Sequence, residues 1–117
     1  MDTRAATLIT LLAAAAPAGA NETWRALDGE AIRAALAGKT VIYEFEKQTF
    51  FASGRTSFDA GILDWGHWEV RDGQYCSLWP PSDVWACYDV SLRNWAGVTQ
   101  VRFTGQDGDE SLGTVME

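Results

Sequence analysis

The residues with the clearest chemical potential lie in one short segment, Asp64 to Glu69, which reads DWGHWE. His67 is the only histidine of the chain, and a histidine beside a carboxylate can act as a general base near neutral pH. This pattern permits a small hydrolase or isomerase that uses His67 with Asp64 or Glu69. No serine or second cysteine stands at a spacing that identifies a nucleophile, which favours the alternative that His67 is a surface residue beside an acid.

Two cysteines, Cys76 and Cys87, lie in a nearly symmetrical segment, YCSLWPPSDVWACY. The C-x-x-C spacing of redox enzymes is absent, and two cysteines with one histidine make a poor zinc site. A disulfide between them is therefore the favoured interpretation. The chain has neither a glycine-rich dinucleotide fingerprint nor a P-loop, so we predict no cofactor and no metal.

Six tryptophans are available for a core or for a ligand site, at positions 24, 65, 68, 79, 85 and 95. In a small barrel they could line the mouth of a binding cavity. Alternatively, a small domain builds its core from large residues because few positions are available. The second interpretation is favoured, and Trp68 in particular is expected to belong to the core.

A single helix is predicted in the mature chain, over residues 28–37. Asp28 can cap its first turn and Gly38 can end it. Ile32, Ala35 and Leu36 then form one apolar stripe.

The rest of the chain is mainly β. Strand-like segments occupy residues 40–46, 48–52, 55–59, 66–71, 74–79, 84–90, 98–105 and 111–116, and turn residues separate them at 53–54, 72–73, 80–83, 94–97 and 106–109. This spacing predicts a single domain, an antiparallel meander that closes into a small barrel or folds into a sandwich.

The strand register follows from two turns. Asp72-Gly73 is typical of a two-residue hairpin turn, which places Arg71 opposite Gln74. If residues 80–83 form a four-residue loop, Trp79 lies opposite Val84 and Cys76 opposite Cys87. Directly opposed residues are within disulfide reach, so the register predicts a disulfide-linked hairpin.

This register sorts the side chains onto two faces. The core face is predicted to carry Trp68, Val70, Tyr75, Trp79, Val84, Ala86, Tyr88 and Val90. The opposite face has a possible binding patch, here called the outer patch, formed by His67, Glu69, Leu78 and Trp85. Either the helix covers its apolar part or the patch is exposed for a partner, and covering is favoured.

The amino-terminal residues 1–20 have the pattern of a secretory signal peptide. Arg4 precedes an apolar segment, and Ala18-Gly19-Ala20 supplies a cleavage site. We expect a mature domain of residues 21–117 in the periplasm or outside the cell, with no stable membrane insertion after cleavage.

The formal net charge of −7 restricts the partners. Nucleic acid and anionic membranes attract basic proteins, so neither is an expected partner. A basic protein or a cationic ligand is permitted.

Three segments together, FFASGRTSF, WGHWEVRDGQYCSLWPPSDVWACYDV and VRFTG, resemble a family of small exported alphaproteobacterial proteins of unknown function with a paired-cysteine, W-P-P core. This resemblance covers about residues 40–105 and implies export and a compact β fold, with no established activity. Gly66-His67-Trp68 also matches the G-x-W pattern of lipocalins, which are small β-barrels.

These observations favour a non-enzymatic exported module that binds an unknown protein or a small apolar ligand. The alternatives are an acidic inhibitor of a basic hydrolase such as lysozyme, the His67-dependent enzyme described above, and a structural envelope component without a ligand.

Overall fold

A computed structural model describes residues 23–116, so the predicted signal peptide lies outside the described residues. The elements are β1 Arg25–Ala26, α1 Gly29–Leu36, β2 Lys39–Ile42, β3 Lys47–Phe50, β4 Arg55–Asp59, β5 Leu63–Arg71, β6 Gln74–Leu78, β7 Ala86–Trp95, β8 Val98–Gly105 and β9 Glu110–Met116. No helix among these residues is both long enough and apolar enough to span a membrane.

Strands β2 to β9 form a closed antiparallel barrel. Each strand pairs with the next along the chain, and β9 returns to pair with β2, with Val41 opposite Val115. Closure leaves no free edge between β2 and β9. The short β1 pairs with β7 beyond the end of the β6–β7 ladder, with Arg25 opposite Leu92. The prediction of a mainly β meander is confirmed, and the barrel is the form that it takes.

The predicted helix is confirmed, and it closes one end of the barrel. Asp28 is its N-cap and accepts a 2.9 Å hydrogen bond from the Ala31 N–H. Ile32 and Leu36 are fully buried and join the interior cluster that contains Phe50. The helix therefore fills the end of the barrel that lies beside the β5–β6 turn, here called the closed end.

The position of the helix corrects one expectation. The helix was expected to cover the outer patch, but its buried side chains pack among residues inside the barrel. Both of its ends are fixed to the barrel: Leu27 N–H donates to the Val90 carbonyl at 2.9 Å, and Gly38 N–H to the Phe50 carbonyl at 2.6 Å. An open barrel end offers two apolar side chains more contact than a mostly polar outer face.

The β5–β6 and β6–β7 hairpins have the predicted register. Asp72 and Gly73 both have positive φ, at 53° and 76°, as a tight two-residue turn requires. Cys76 lies opposite Cys87 and the two form a disulfide, with their Cα atoms 4.0 Å apart.

The loop after β6 is longer than predicted. The β6–β7 ladder ends at Ser77 opposite Ala86, so Trp79 and Val84 are not paired. Proline has no N–H to give to a ladder, and two consecutive prolines end the hairpin early. Val84 and Ala86 were expected in the core and are exposed instead, because Val84 lies in the loop and Ala86 is the first residue of β7, where the ladder with β6 ends.

Two further strand boundaries differ from the prediction. The predicted strand 40–46 ends at Ile42, where Tyr43 N–H donates to the Glu46 carbonyl at 2.7 Å and closes a turn. Phe45 is consequently 84% exposed at the tip of that turn. In contrast, β7 continues to Trp95 and passes the expected end of the strand at residue 90, because β1 and β8 pair with both of its edges.

The core lies between the helix and the middle of the barrel. Trp68 is 2% exposed, its indole N–H donates to the Phe51 carbonyl at 2.9 Å, and its ring meets Phe50 edge-on at 5.6 Å. Trp68 is therefore a core residue, as predicted. The other buried apolar side chains are Ile32, Leu36, Val41, Tyr75, Cys76, Val90, Val101, Phe103 and Val115.

We expect removal of the disulfide to destabilise the domain moderately. Replacing Cys76 and Cys87 by Ala should lower the free energy of unfolding by roughly 2 to 3 kcal/mol, because the closed loop is short. Denaturant unfolding of both proteins measures the difference. Mass spectrometry of the oxidised wild type should find no free thiol, and two free thiols would contradict the described pairing.

Candidate ligand-binding cavity

A cavity opens at the end of the barrel opposite the helix. Its volume is about 560 Å³, which is within the range of small-molecule sites. It is lined by Tyr43, Glu44, Glu46, Gln48, Phe58, Asp64, Tyr75, Ser77, Trp79, Tyr88, Phe103, Ser111 and Leu112. The turns after β2, β4, β6 and β8 surround this end, so the cavity has a mouth among these loops, here called the open end.

Six aromatic side chains form a continuous wall of the cavity, here called the aromatic belt. Neighbouring ring centroids are 5.1 to 6.4 Å apart along the series Trp79, Phe58, Tyr43, Phe103, Tyr75 and Tyr88. These separations are typical of interacting aromatic pairs. The belt members come from strands or loops on all sides of the barrel, so only the folded barrel brings them together.

A buried amide holds the floor of the cavity. The Gln48 side chain is 5% exposed and bonds three neighbours. Its oxygen accepts from the Tyr43 hydroxyl at 2.9 Å, and its nitrogen donates to Thr56 and to Tyr75, both at 3.0 Å. Thr56 in turn donates to the Thr49 carbonyl at 2.8 Å. Buried polar groups of proteins are normally hydrogen-bonded, and here the bonds to Gln48 hold the hydroxyl groups of Tyr43 and Tyr75 in place.

Both of these tyrosines are neutral phenols in the folded protein. Burial raises the pKa of Tyr75 to about 12, although hydrogen bonds from Ser77 and Gln48 act in the opposite direction. Burial also raises the pKa of Tyr43, and the negative charge of Glu46 adds to that effect. Neither hydroxyl is therefore a base or nucleophile at physiological pH. They act as hydrogen-bonding groups and as aromatic faces.

Trp79 lies flat against β5 because residue 66 is glycine. A Cβ atom on Gly66 would be 2.7 Å from the Trp79 ring and 2.5 Å from the Leu78 carbonyl oxygen, which is closer than atoms can approach. The Trp79 indole N–H donates to the Ser77 hydroxyl at 3.2 Å. The glycine of the G-x-W pattern therefore has a defined role here, since it makes room for a cavity wall.

Carboxylates stand at the mouth of the cavity. Glu44, Glu46 and Asp64 are part of its lining, whereas no lysine, arginine or histidine is. Glu44 and Glu46 belong to the turn after β2, and Asp64 is the second residue of β5. The mouth is consequently negative.

The outer patch lies on the outside of the barrel, away from the cavity. His67 is exposed and lies opposite Leu78. Glu69 forms an ion pair with Arg71, and the Arg71 guanidinium lies 5.0 Å from the centre of the half-buried Trp85 ring. The four patch residues are thus neighbours, and Arg71 rather than the helix packs on Trp85. Whether this patch binds a partner stays a prediction.

The structure separates His67 from one of its two predicted acidic partners. Asp64 lines the cavity, whereas His67 is on the outer surface. Glu69 is on the same face as His67, but its carboxylate is held by the Arg71 side chain at 2.7 Å. Among residues 23–116, no group of at least three His, Cys, Asp or Glu side chains is arranged to hold a metal ion.

Sequence reasoning raised a ligand cavity lined by tryptophans as the less favoured alternative, but it did not identify the lining, to which Trp79 is the one tryptophan of residues 23–116 that contributes. Five of the six belt residues are tyrosine or phenylalanine, and the pattern assigned Tyr75, Trp79 and Tyr88 to the core face. The available signal was the excess of large aromatics on inward positions next to acidic turns. Inward aromatic residues form the same sequence pattern in a packed core and in a cavity wall, so this signal does not distinguish the two.

Comparison with known proteins yields no match among family models, curated proteins or solved structures. The fold and the cavity therefore carry the functional argument by themselves.

We expect the stability of the barrel to fall at alkaline pH. The raised pKa of Tyr75 means that the unfolded chain loses this proton near pH 10, whereas the folded protein keeps it until about pH 12. Stability from this group is complete below pH 10 and declines above it, by about 3 kcal/mol at most. Denaturant unfolding across this range measures the decline.

Tyr75→Phe provides the control for that experiment. This variant should show a smaller loss of stability above pH 10, because the titrating hydroxyl is gone. Ionisation of Tyr43 and Tyr75 at the ordinary tyrosine pKa in the folded protein would contradict the described burial.

Proposed function

We propose that the protein is an exported, non-enzymatic binding module that holds a small, largely apolar ligand in the cavity at the open end of its barrel. The observation that carries this proposal is the cavity of about 560 Å³ with its wall of six aromatic rings. An eight-stranded barrel has a bore that either fills with side chains or holds one small ligand. Here the helix fills one end and leaves the other open.

The disulfide supports the exported location. Disulfides persist in oxidising compartments, and the Cys76–Cys87 bond fits the periplasm or the extracellular space. The predicted signal peptide agrees with this location, as does the resemblance to small exported alphaproteobacterial proteins. The lipocalin-like pattern at Gly66 and Trp68 is compatible with a ligand-holding barrel.

Binding is favoured over catalysis by the chemistry of the cavity. Its buried amide is held in the Gln48 network, and burial keeps the hydroxyls of Tyr43 and Tyr75 neutral by raising their pKa. The histidine that could serve as a base is outside. The aromatic wall offers a large apolar contact surface to a ligand, which favours binding rather than a chemical reaction.

The test uses N-phenyl-1-naphthylamine, a neutral apolar probe whose fluorescence rises in dry surroundings. We expect saturable binding with one site per chain. Trp79→Ala should weaken binding at least fivefold, because the variant loses one cavity wall. Trp85→Ala is the matched control, since it removes a tryptophan from the outer face, and its affinity should equal that of the wild type. Unsaturable binding, or equal weakening by both variants, would argue against the cavity as the site.

A second candidate function, inhibition of a basic hydrolase such as lysozyme, is favoured by one specific observation. Phe45, Ile62 and Val84 are 84%, 83% and 69% exposed, and they occupy three different loops at the open end. Apolar loop tips beside carboxylates are suited to docking on a basic protein surface.

Lysozyme activity measured with added protein tests this alternative. We expect inhibition that disappears in the Phe45→Ser, Ile62→Ser double variant, because the loop tips provide the contact. Val98→Ser is the control, since Val98 is also exposed but follows the β7–β8 turn at the closed end. Absence of inhibition by the wild type would exclude lysozyme as the target.

A further inference from the structure

We propose that the ligand of the cavity is an organic cation, a primary or quaternary ammonium group attached to an apolar body. This inference rests on the proposed function, because it assigns a chemical class to the ligand of that same cavity. It depends on three observations: the pairing of arginines with tryptophans, the position of Asp64, and the charge of the cavity lining.

Arginine side chains lie over five of the six tryptophans. The distances from guanidinium carbon to ring centre are 4.3 to 5.2 Å for the pairs Arg33–Trp68, Arg55–Trp65, Arg71–Trp85, Arg93–Trp24, Arg93–Trp95 and Arg102–Trp24. These are favourable cation–π distances. Within residues 23–116, Trp79 is the tryptophan without such a partner, and it is also the one that lines the cavity.

Trp79 therefore presents an aromatic face to the cavity without an internal cation. The neighbouring belt ring, Phe58, meets it edge-on at 6.1 Å. An ammonium group is attracted by the negative face of such rings, and tryptophan is the strongest of them. Several aromatic rings around one space are the usual protein site for quaternary ammonium ligands.

A carboxylate stands beside these two rings. Asp64 lies directly opposite Phe58 in the β4–β5 ladder. It is also two residues before Gly66, so both point to the same face of β5, and Trp79 packs on Gly66. One Asp64 oxygen accepts the Trp65 N–H at 2.9 Å, and the other is available as a counter-ion. Trp79, Phe58 and Asp64 together form the cation site.

The charge of the cavity lining disfavours an anionic ligand. Three carboxylates and no basic side chain border the cavity, so an anionic ligand would meet repulsion without compensation. A bare metal ion would lack its ligand set, because among residues 23–116 no three acidic, cysteine or histidine side chains are arranged to hold one. The apolar body of an organic cation, in contrast, matches the rest of the aromatic belt.

Three ligands that share a naphthyl group provide the test: 2-(1-naphthyl)ethylamine, 2-(1-naphthyl)ethanol and 1-naphthylacetate. They have similar shapes and carry charges of about +1, 0 and −1 at neutral pH. Isothermal titration calorimetry should show the amine binding about tenfold more tightly than the alcohol, and the acetate more weakly than both. Added salt should reduce the advantage of the amine.

Matched variants identify the site of the preference. Asp64→Asn should weaken amine binding about fivefold and leave alcohol binding unchanged. Asp89→Asn makes the same change of charge at an exposed position on β7 outside the cavity lining, and both ligands should bind it as they bind the wild type. Trp79→Leu keeps an apolar wall but removes the aromatic face, so it should reduce the amine-to-alcohol ratio towards one.

The outcomes separate this inference from the function on which it rests. Equal binding of amine and alcohol to the wild type would overturn the cation assignment and leave the ligand cavity intact. Loss of the preference in Asp89→Asn as well as Asp64→Asn would also overturn it, because a general charge effect would then explain the result. If none of the three naphthyl ligands binds and the neutral probe does not bind either, the proposed function itself is wrong.

Discussion

The bore of an eight-stranded barrel is the constraint on which the rest of this structure depends. Eight strands enclose a space that their own side chains can only just fill, and this protein fills it unevenly. Ile32 and Leu36 enter from the helix and complete an apolar core at the closed end. Gln48 marks the level at which apolar packing stops, because its amide needs three polar neighbours. Above that level the bore is lined rather than filled, and the cavity is the result.

Polar and charged groups are arranged differently inside the barrel and on its outer surface. Inside the barrel, polar atoms are few and are paired with one another. On the outer surface the arginines lie over tryptophan faces, which keeps large rings partly covered without a second layer of structure. Long side chains can cover apolar surface in this way while their charged ends stay in water. Within residues 23–116, the three carboxylates of the cavity lining, Glu44, Glu46 and Asp64, form no ion pair with an arginine. The mouth is therefore the place where uncompensated negative charge lies beside aromatic surface.

Local features of the fold were predictable from the sequence, and features that depend on barrel closure were not. The Asp72-Gly73 turn, the Asp28 cap and the register that pairs Cys76 with Cys87 each follow from a few adjacent residues. The position of the helix and the length of the loop after β6 depend on the shape of the closed barrel. The same holds for the candidate site: an inward Tyr75 or Trp79 has the same sequence pattern in a packed core and in a cavity wall. The outer patch was assigned to the correct face, but the cavity lies on the other one.

Both ends of the described chain leave the barrel on the side away from the cavity. Trp24 is held against Arg93 and Arg102 on the outer surface, beside the part of β7 that leads to the β7–β8 turn. Met116 lies opposite Thr40, close to the end of the helix. A group attached directly at residue 23 or at Met116 would therefore start from the closed end. Attachment at the closed end would leave the mouth of the cavity facing away from the attached group and open to solvent.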